Sequence, residues 1–440
     1  MKKYNYLKIR KTLVLVTFIF VLIALFCFFY FKTVGLDKSS EKKFKNKILF
    51  SNEIPKGFGV NIHFTGNRID IDLIKDAGFK VVRKDINWSQ LEKEKGIFDF
   101  KNGGYDQLTT SLVNNGIQPY YILDYSNKLY EENQSITTKQ GEDAYVRYVS
   151  EVASRYKNKG IIWEIWNEPN GGFWYPKPNI QEYSSLVKRA SKAIKKSDPS
   201  GIVVAPALAG ITPESLNWLE EIFKKDTLDY IDAVSVHPYR GKNPETVISD
   251  YENLRLLIKK YTSKEIPILS GEWGYTTADT WMGVHVTEQQ QAEYLVRMFL
   301  VNLLYDVPIS VWYDWKNDGE DYFEPQHNFG LRKNDASVPK KAYNAINTLT
   351  YNLSGFKLSK RINVENPDDY ILEFNNKKGD VVIVCWTTSN SHNVILPLEL
   401  KTENIVNMYG KNIENMQQNK INTLNISNEP KYIINEQNTR

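Results

Sequence analysis

Cysteine is almost absent from the sequence: 440 residues contain two, Cys27 and Cys385. Two cysteines cannot build a disulfide framework or a thiolate metal cluster, which excludes small disulfide-rich scaffolds and zinc fingers. His63, His285 and His327 show no metal-ligand spacing, so we expect no metal. No glycine-rich phosphate loop follows the first predicted strand, so we expect no nucleotide and no other cofactor.

Excess positive charge is confined to the N-terminal region. Residues 1–47 contain eleven Lys and Arg against two Asp and Glu, a net +9, whereas the rest of the chain contains 45 against 50, a net −5. A slightly acidic folded part without a basic stripe argues against a nucleic acid partner. With 42% hydrophobic residues, the chain is too apolar to be disordered and is long enough for a large core.

One long apolar run dominates the N-terminal region. Residues 12–31 carry no charge, and at about 1.5 Å per residue they span roughly 30 Å, the thickness of a bilayer's hydrocarbon core. The run ends in Tyr30-Phe31-Lys32 rather than in a small-residue cleavage site, so we predict an uncleaved transmembrane anchor. Lysines flank both ends, so charge alone does not decide its orientation. A buried core helix is the alternative interpretation.

Beyond residue 57, short apolar runs alternate with segments of helical periodicity, which is typical of βα units around a parallel sheet. We predict eight strands, at residues 57–64, 79–88, 117–125, 161–168, 202–208, 231–239, 266–273 and 309–315. The predicted helices lie around residues 68–77, 103–115, 141–157, 181–196, 214–224, 245–261, 288–305 and 339–351. Eight units in about 300 residues predict an α/β fold, the (β/α)₈ or TIM barrel, with an open doubly wound sheet as the alternative.

A different pattern begins near Gly355, where segments of period two are separated by turn residues. Segments 370–374 and 381–386 predict a β-hairpin. Further strand-like segments, at 394–400, 404–409, 421–426 and 432–434, complete a small antiparallel β-sandwich. We therefore predict an anchor and tether at 1–50, a barrel at 51–353 and an accessory sandwich at 354–440.

Two acidic motifs lie at the ends of predicted strands, where barrels of this type carry their catalytic residues. Glu168 lies in Trp163-Glu164-Ile165-Trp166-Asn167-Glu168-Pro169-Asn170 after the fourth strand, and Glu272 in Leu269-Ser270-Gly271-Glu272-Trp273-Gly274 on the seventh. Glycoside hydrolysis needs two carboxylates across one bond: one protonates the leaving oxygen and, in retaining enzymes, the other attacks the anomeric carbon. Asn167 offers an amide for the sugar 2-hydroxyl.

These motifs resemble the clan A glycoside hydrolases, which are barrels with an acid/base Glu on the fourth strand and a nucleophilic Glu on the seventh. Within the clan the sequence looks closest to glycoside hydrolase family 39, and there to membrane-associated endoglycosidases of bacterial exopolysaccharide systems. The resemblance covers residues 57–440. It implies that Glu168 is the acid/base, Glu272 the nucleophile and Asn167 the amide that binds the glycone.

The resemblance also implies a supporting set: Arg83 on the second strand, His237 and Tyr239 on the sixth, and Asn61 and His63 on the first. Structural alternatives stay open for two of them. Arg83 can neutralise Glu164, which strand alternation places on the inner side of the barrel, and His237 can be a hydrogen-bonded core histidine.

Three tryptophans near strand ends, Trp273, Trp312 and Trp315, are candidate platforms for pyranose rings, with barrel packing as their alternative role.

The sequence thus predicts a retaining β-glycosidase that cleaves a β-linked polysaccharide internally. Because polymeric glycans lie outside the cell, we expect the barrel on the outer face of a bacterial membrane, held there by its N-terminal helix. Two alternatives stay open: an exo-acting β-glycosidase such as a β-xylosidase, and a non-catalytic glycan-binding protein of an exopolysaccharide system. The sequence predicts no oligomeric state.

Overall fold

The structure is a computed structural model that describes residues 48–65, 68–396, 403–416 and 423–435. The predicted anchor at residues 12–31 and most of the tether lie outside the described residues. Within the described part, the helices are too short or too polar to cross a bilayer. The barrel and the C-terminal sheets belong to one compact unit that begins at Ile48.

Eight parallel strands close into a barrel in which each strand pairs with its sequence neighbours. Pairing of Phe58 with Ser310 joins the first strand to the last, so the predicted barrel is confirmed and the open sheet is excluded. The strands are β1 (Phe58–Asn61), β2 (Val81–Asn87), β3 (Gln118–Asp124), β4 (Ile162–Ile165), β5 (Ile202–Ala209), β6 (Ala233–His237), β7 (Ile268–Trp273) and β8 (Ser310–Trp312).

A helix follows each barrel strand, as the sequence predicts: α1 (Arg68–Asp76), α2 (Tyr105–Asn114), α3 (Lys139–Arg155), α4 (Ile180–Ser197), α5 (Pro213–Phe223), α6 (Val247–Tyr261), α7 (Glu288–Leu304) and α8 (Lys341–Leu353). Local chemistry fixes where several begin. The Asn179 side chain caps α4 by accepting from two backbone N–H groups, and Thr287 with Gln290 forms a capping box at α7.

Alternation along the strands places polar side chains inside the barrel. On β3, Tyr120 points inward to Glu164 of β4, whereas Tyr121 points outward, where its hydroxyl lies 2.7 Å from Thr109 of α2. Gly271 of β7 makes room for this inner layer, because a Cβ there would lie 2.2 Å from the Ser235 hydroxyl. The interior thus holds a polar network directly beneath the C-terminal mouth of the barrel.

One excursion between β2 and α2 differs from the predicted loop. It contains a short helix, Trp88–Leu91, and a two-stranded hairpin, Glu92–Glu94 with Ile97–Phe98. These elements are too short to show a hydrophobic period. Tertiary contacts form them instead, since buried Glu92 accepts hydrogen bonds from Trp88, Gly96 and Tyr130.

The chain after α8 forms antiparallel sheets. Six strands pair in the order β9-β10-β11-β16-β13-β14, and β12 pairs with β15. Their bounds are β9 (Lys357–Arg361), β10 (Asp369–Asn375), β11 (Val381–Thr387), β12 (His392–Ile395), β13 (Glu403–Val406), β14 (Asn412–Met416), β15 (Thr423–Ile426) and β16 (Lys431–Asn435). The predicted hairpin is β10 with β11, whereas β9 and β14 were not predicted.

A buried ionic contact fastens these sheets to the barrel. Arg297 of α7 donates two hydrogen bonds to Glu245, at 2.7 and 2.6 Å. The indole N–H of Trp386 on β11 donates to the same carboxylate at 2.7 Å. Tyr370 of β10 stacks on Trp386 with ring centroids 4.9 Å apart. The sheet therefore covers a charged pair on the outside of the barrel.

Candidate active site

Arg83 of β2 is the centre of the polar interior. Its guanidinium contacts Glu164 through two nitrogens, at 2.8 and 2.7 Å. It also donates to Glu272, and to the Asn167 oxygen at 2.9 Å. Burial alone lowers the pKa of Arg83, but Glu164 and Glu272 raise it well above its ordinary value. Both roles that the sequence left open for Arg83, neutralising Glu164 and contacting Glu272, are therefore present in one side chain.

Glu168 and Glu272 face each other at the mouth of the barrel. One carboxylate oxygen of each lies within 4.8 Å of the other, and His237 offers a nitrogen within the same distance of both. Their side chains are 19% and 14% exposed, so both reach the open end. This separation matches the short spacing of retaining glycosidases, about 5 to 5.5 Å, and not the 6.5 to 9.5 Å or so of inverting ones.

Two donors hold Glu272. Arg83 donates to its Oε2, and the Tyr239 hydroxyl donates to its Oε1 at 2.8 Å. Burial raises the pKa of Tyr239 well above its ordinary value, and the charge of Glu272 adds to this shift. Tyr239 therefore keeps its proton and stays a donor. Both oxygens of Glu272 are fixed, one by a cation and one by a phenol.

Glu168 has a different partner. The Nδ1 of buried His237 lies 2.8 Å from Glu168 Oε1, while its Nε2 lies 3.3 Å from an Arg83 nitrogen. Since a guanidinium only donates, Nε2 must accept, and the imidazole proton then resides on Nδ1 and points to Glu168. His237 is thus hydrogen-bonded through both ring nitrogens, as expected of a buried core histidine, and it also orients Glu168.

The turn that carries Glu168 has an unusual backbone. Trp166 and Glu168 have φ values of 68° and 48°, in the left-handed region that non-glycine residues avoid at a cost of roughly 1 to 3 kcal/mol each. Packing holds this turn: Trp166 is buried, and the Glu168 N–H donates to the Ala207 carbonyl at 3.1 Å. The turn aims the carboxylate of Glu168 across the mouth toward Glu272.

The remaining predicted polar residues join the same cluster. Asn167 donates to the Tyr125 hydroxyl at 3.2 Å. Asn61 accepts from Arg83 at 3.3 Å and lies 3.4 Å from His63 Nε2. The structure thus brings together Glu168, Glu272, Asn167, Arg83, His237, Tyr239, Asn61 and His63.

The three predicted tryptophan platforms are buried. Trp273, Trp312 and Trp315 expose at most 1% of their surface. Trp273 packs against Trp312 with centroids 5.0 Å apart, and Trp315 donates to Asp70 at 2.8 Å. A platform must expose a ring face, so their role is the packing that the sequence left as the alternative, and their assignment to sugar contact is corrected.

Two tyrosines that the sequence analysis did not single out lie beside the carboxylates instead. Half-buried Tyr125 follows β3, and half-buried Tyr313 follows β8, where its ring lies 5.3 Å from His63 and 6.4 Å from Tyr239. Their position at C-terminal strand ends was the available signal. Both rings lie at the mouth of the barrel, where Tyr125 stacks on Phe173 with centroids 5.6 Å apart.

Two groups of side chains in the described part could hold a metal ion: Glu168 with His237 and Glu272, and His63 with Asp314 and Asp318. In the first group, Arg83 already neutralises Glu272, and protein donors serve the facing oxygens. That group is complete without an ion, and its arrangement fits proton transfer and nucleophilic attack rather than coordination.

A closed parallel barrel with paired glutamates at the short spacing defines a retaining glycoside hydrolase of clan A. Comparison with known proteins agrees. The family model described as Cellulase (glycosyl hydrolase family 5) matches residues 48–319. The chain belongs to this family of glycoside hydrolases.

Similar proteins give the same class. The chain is 26% identical to a β-xylosidase of Geobacillus stearothermophilus over 402 residues, covering 81% of this chain and 76% of that one. It is 24% identical to a β-xylosidase of Caldicellulosiruptor saccharolyticus over 363 residues, covering 74% and 70%. A family 39 glycoside hydrolase of Bacteroides cellulosilyticus WH2 has a TM-score of 0.76 at 22% identity, covering 87% and 81%. The predicted clan is confirmed, and so is closeness in fold to family 39.

Proposed function

We propose that the protein is an endo-acting β-glycosidase that cleaves a β-linked exopolysaccharide, with Glu168 as acid/base and Glu272 as nucleophile. The observation that carries the proposal is the unequal surrounding of two carboxylates within 4.8 Å of each other. Glu272 is held by a cation and a phenol, whereas the partner of Glu168 is an imidazole. A carboxylate fixed by charge-assisted bonds suits the nucleophile, and one free of a bound cation suits the proton carrier.

The proposed reaction has two displacements. Glu272 attacks the anomeric carbon while Glu168 gives its proton to the departing glycosidic oxygen, which leaves a glycosyl ester on Glu272. Water then attacks the same carbon as Glu168 takes its proton, and the ester bond breaks. The anomeric configuration is inverted twice and so is retained.

Exposed aromatic residues on the rim support action within a long chain. Phe173 and Tyr175, in the loop after β4, are 40% and 58% exposed. Tyr322 and Phe323, in the loop after β8, are 44% and 74% exposed. Rings on two separate loops can stack on sugar units beyond the one being cleaved. The two β-xylosidase relatives favour an exo-acting xylosidase as the second candidate.

We also propose that residues 12–31 anchor the protein in a bacterial membrane with the barrel outside. The support is the uncharged length of this run and the location of polymeric glycans. Protease added to intact cells should then remove the barrel. A barrel that survives until the cells are lysed has the opposite orientation.

Azide rescue tests the two carboxylate roles on the full-length protein in detergent. Glu168→Ala should lose most turnover, and azide, which needs no base, should restore it and give a β-glycosyl azide. Glu272→Gln should lose essentially all turnover without rescue, because no glycosyl ester can form. An α-configured azide from Glu168→Ala, or near-normal activity of Glu272→Gln, contradicts the assignment.

A further inference from the structure

A second cluster of ionisable groups lies beside the reacting carboxylates. His63 follows β1, and Asp314 and Asp318 follow β8; we call these three residues the acidic wall. His63 Nδ1 lies 2.8 Å from Asp318 Oδ1 and 3.8 Å from Asp314 Oδ2. The facing atoms of all three lie within 4.8 Å of one another.

The acidic wall adjoins the site of bond cleavage. His63 Nε2 lies 3.4 Å from Asn61, and Asn61 accepts from the same Arg83 that donates to Glu272. The ring of Tyr313 lies 5.3 Å from the imidazole of His63. A sugar unit whose anomeric carbon meets Glu272 can therefore place a substituent against this wall.

Asp314 gives the wall a carboxylate oxygen that lacks a hydrogen-bond donor in the described part of the chain. It is 2% exposed, and within the described residues its Oδ1 has no hydrogen-bond partner. A buried carboxylate oxygen without a hydrogen-bond donor is energetically unfavourable. His63 and Asp318 are partly open, with 36% and 31% of their side chains exposed, so a ligand can approach from the mouth.

Two carboxyl groups face one imidazole in the wall. Burial alone lowers the pKa of His63, but the hydrogen bond to Asp318 and the charge of Asp314 raise it above its ordinary value. Of the nearby cations, Arg83 serves Glu164 and Glu272, and Lys84 lies 3.5 Å from Asp85. Burial raises the pKa of Asp314 well above its ordinary value; Asp318 and Glu272 add to this shift, while His63 and Lys340 oppose it. In the free protein a proton on Asp314 relieves the repulsion. A cationic ligand relieves it with its own charge.

We infer that the acidic wall binds a protonated amino group, so that the sugar unit recognised beside Glu272 is an unacetylated amino sugar. This inference rests on the proposed function, whose substrate class it names. An ammonium group brings three N–H donors and a positive charge to Asp314 and Asp318. A hydroxyl brings no charge, an acetamide replaces the charge with a bulky neutral group, and a uronic acid is repelled.

Matched tetrasaccharides test this inference. The probes are β-linked gluco- and galacto-configured series. Each series contains parallel sets with an amine, an acetamide or a hydroxyl at carbon 2, carbon 3 or carbon 6, because Asn167 is expected to meet the substituent at carbon 2. Binding is measured by calorimetry on the full-length protein in detergent, with Glu168→Gln present to prevent turnover. In at least one series the amine should bind tenfold or more tighter than its acetamide and hydroxyl counterparts.

Isosteric variants then assign the preference to the wall. Asp314→Asn should reduce the amine preference below threefold, and Asp318→Asn should reduce it in part. Glu320→Gln removes a charge from the same loop, outside the wall, and should leave the preference unchanged. Equal affinity for the amine, acetamide and hydroxyl probes in both series overturns the inference. It is also overturned if Asp314→Asn lowers the affinity for all three probes by the same factor.

Failure of the inference and failure of the proposed function give different results. Cleavage of a neutral β-glycan without any amine preference leaves the proposed function standing and overturns the acidic wall. An amine preference that depends on Asp314, in a protein that hydrolyses no β-glycan, supports the wall and contradicts the proposed function.

Discussion

Tyr239 is the residue whose contribution to Glu272 is simplest to isolate. Its hydroxyl donates to Oε1 at 2.8 Å, and Tyr239→Phe removes this donor while it keeps the ring. A hydrogen bond to a charged group contributes about 1.5 to 3 kcal/mol, so we expect kcat to fall roughly 10- to 100-fold. Steady-state kinetics on an aryl β-glycoside measure the change.

Tyr275→Phe is the matched control for this prediction. Tyr275 is also buried, but its hydroxyl donates to the Lys242 carbonyl and not to a reacting carboxylate. Its kcat should stay within about twofold of the wild type. Equal losses in the two variants would show that the Tyr239 effect is structural.

Asp85 and Asp124 are two carboxyl groups on the neighbouring strands β2 and β3 beside the site. Burial raises the pKa of Asp124 well above its ordinary value, and the charge of Asp85 adds to this shift. Burial alone raises the pKa of Asp85 as well, but the charges of Lys84 and Arg83 help to lower it to about 2. Asp124 therefore holds its proton, whereas Asp85 is ionised.

This pair predicts a pH-dependent effect of Asp124→Asn on stability. Because the folded pKa of Asp124 is raised, its stabilising contribution is complete below about pH 4 and is lost as the pH rises toward that pKa. An amide stays uncharged at every pH, so the variant should gain on the wild type as the pH rises, by up to about 1.4 kcal/mol per pH unit.

Urea denaturation at several pH values between 4 and 8 measures this difference in the free energy of unfolding. Asp72→Asn, an exposed substitution on α1, is the control and should show a flat difference. A difference for Asp124→Asn that does not change with pH would mean that the pKa of Asp124 is not raised in the folded protein.

The sequence could predict which residues meet in this cluster, but not that two carboxylates contact the same guanidinium. Strand alternation and strand ends predict that Glu164, Arg83, Glu168 and Glu272 meet in one barrel. That one guanidinium contacts both Glu164 and Glu272 depends on its reach across the interior, which no spacing encodes. The Asp85–Asp124 pair was missed for the same reason, since its residues lie on different strands.

At the scale of elements, the contact between β11 and the barrel makes a prediction of its own. Glu245→Ala leaves Arg297 buried without its partner, and we expect a loss of about 3 to 5 kcal/mol in the free energy of unfolding. Trp386→Phe removes one donor to Glu245 and should cost about 1 to 3 kcal/mol. Chemical denaturation measures both losses.

Measurements of kcat show whether this contact stabilises the fold without affecting the active site. Neither variant touches the carboxylates, so kcat below the unfolding transition should be unchanged. Glu252→Ala, at an exposed position on α6, is the control for stability. Wild-type stability in Glu245→Ala would show that the sheet does not need this contact.

Helices and strands were predictable where the sequence was long enough to show their hydrophobic periodicity. The eight barrel helices are long enough to show a helical period, and each barrel strand lies within a longer apolar run of the sequence. Strand β9, Lys-Leu-Ser-Lys-Arg, is a charged strand that pairs with β10, and its Lys357 also bridges to Glu53. Nothing in its composition marks it as a strand. Its conformation is set by its neighbour.

At the scale of the whole molecule, the rim aromatics make a prediction about chain length. Phe323→Ala removes a ring that is 74% exposed. If it stacks on a distant sugar unit, worth about 0.5 to 1.5 kcal/mol, KM for a polymer should rise roughly 2- to 10-fold while an aryl glycoside is unaffected. Steady-state kinetics on the polymer and on the aryl glycoside measure the two KM values.

Tyr351→Ala is the control, since Tyr351 is 82% exposed on α8, away from the rim loops. It should change neither KM value. The viscosity of the polymer gives a second readout: internal cleavage lowers viscosity well before reducing ends accumulate. A slow fall in viscosity that tracks reducing ends favours the exo-acting candidate.

The shared guanidinium of Arg83 also bears on how such an enzyme can diverge. Asn61, Glu164, Asn167, His237 and Glu272 all contact this one group, so a substitution at any of them changes the surroundings of the others. We therefore expect the effects of substitutions within this set to be non-additive. Within the described residues, the rim aromatics Phe173, Tyr175, Tyr322 and Phe323 lie further along the loops after β4 and β8 and are not among these contacts. We expect new glycan preferences to arise at such positions while the chemistry beneath stays fixed.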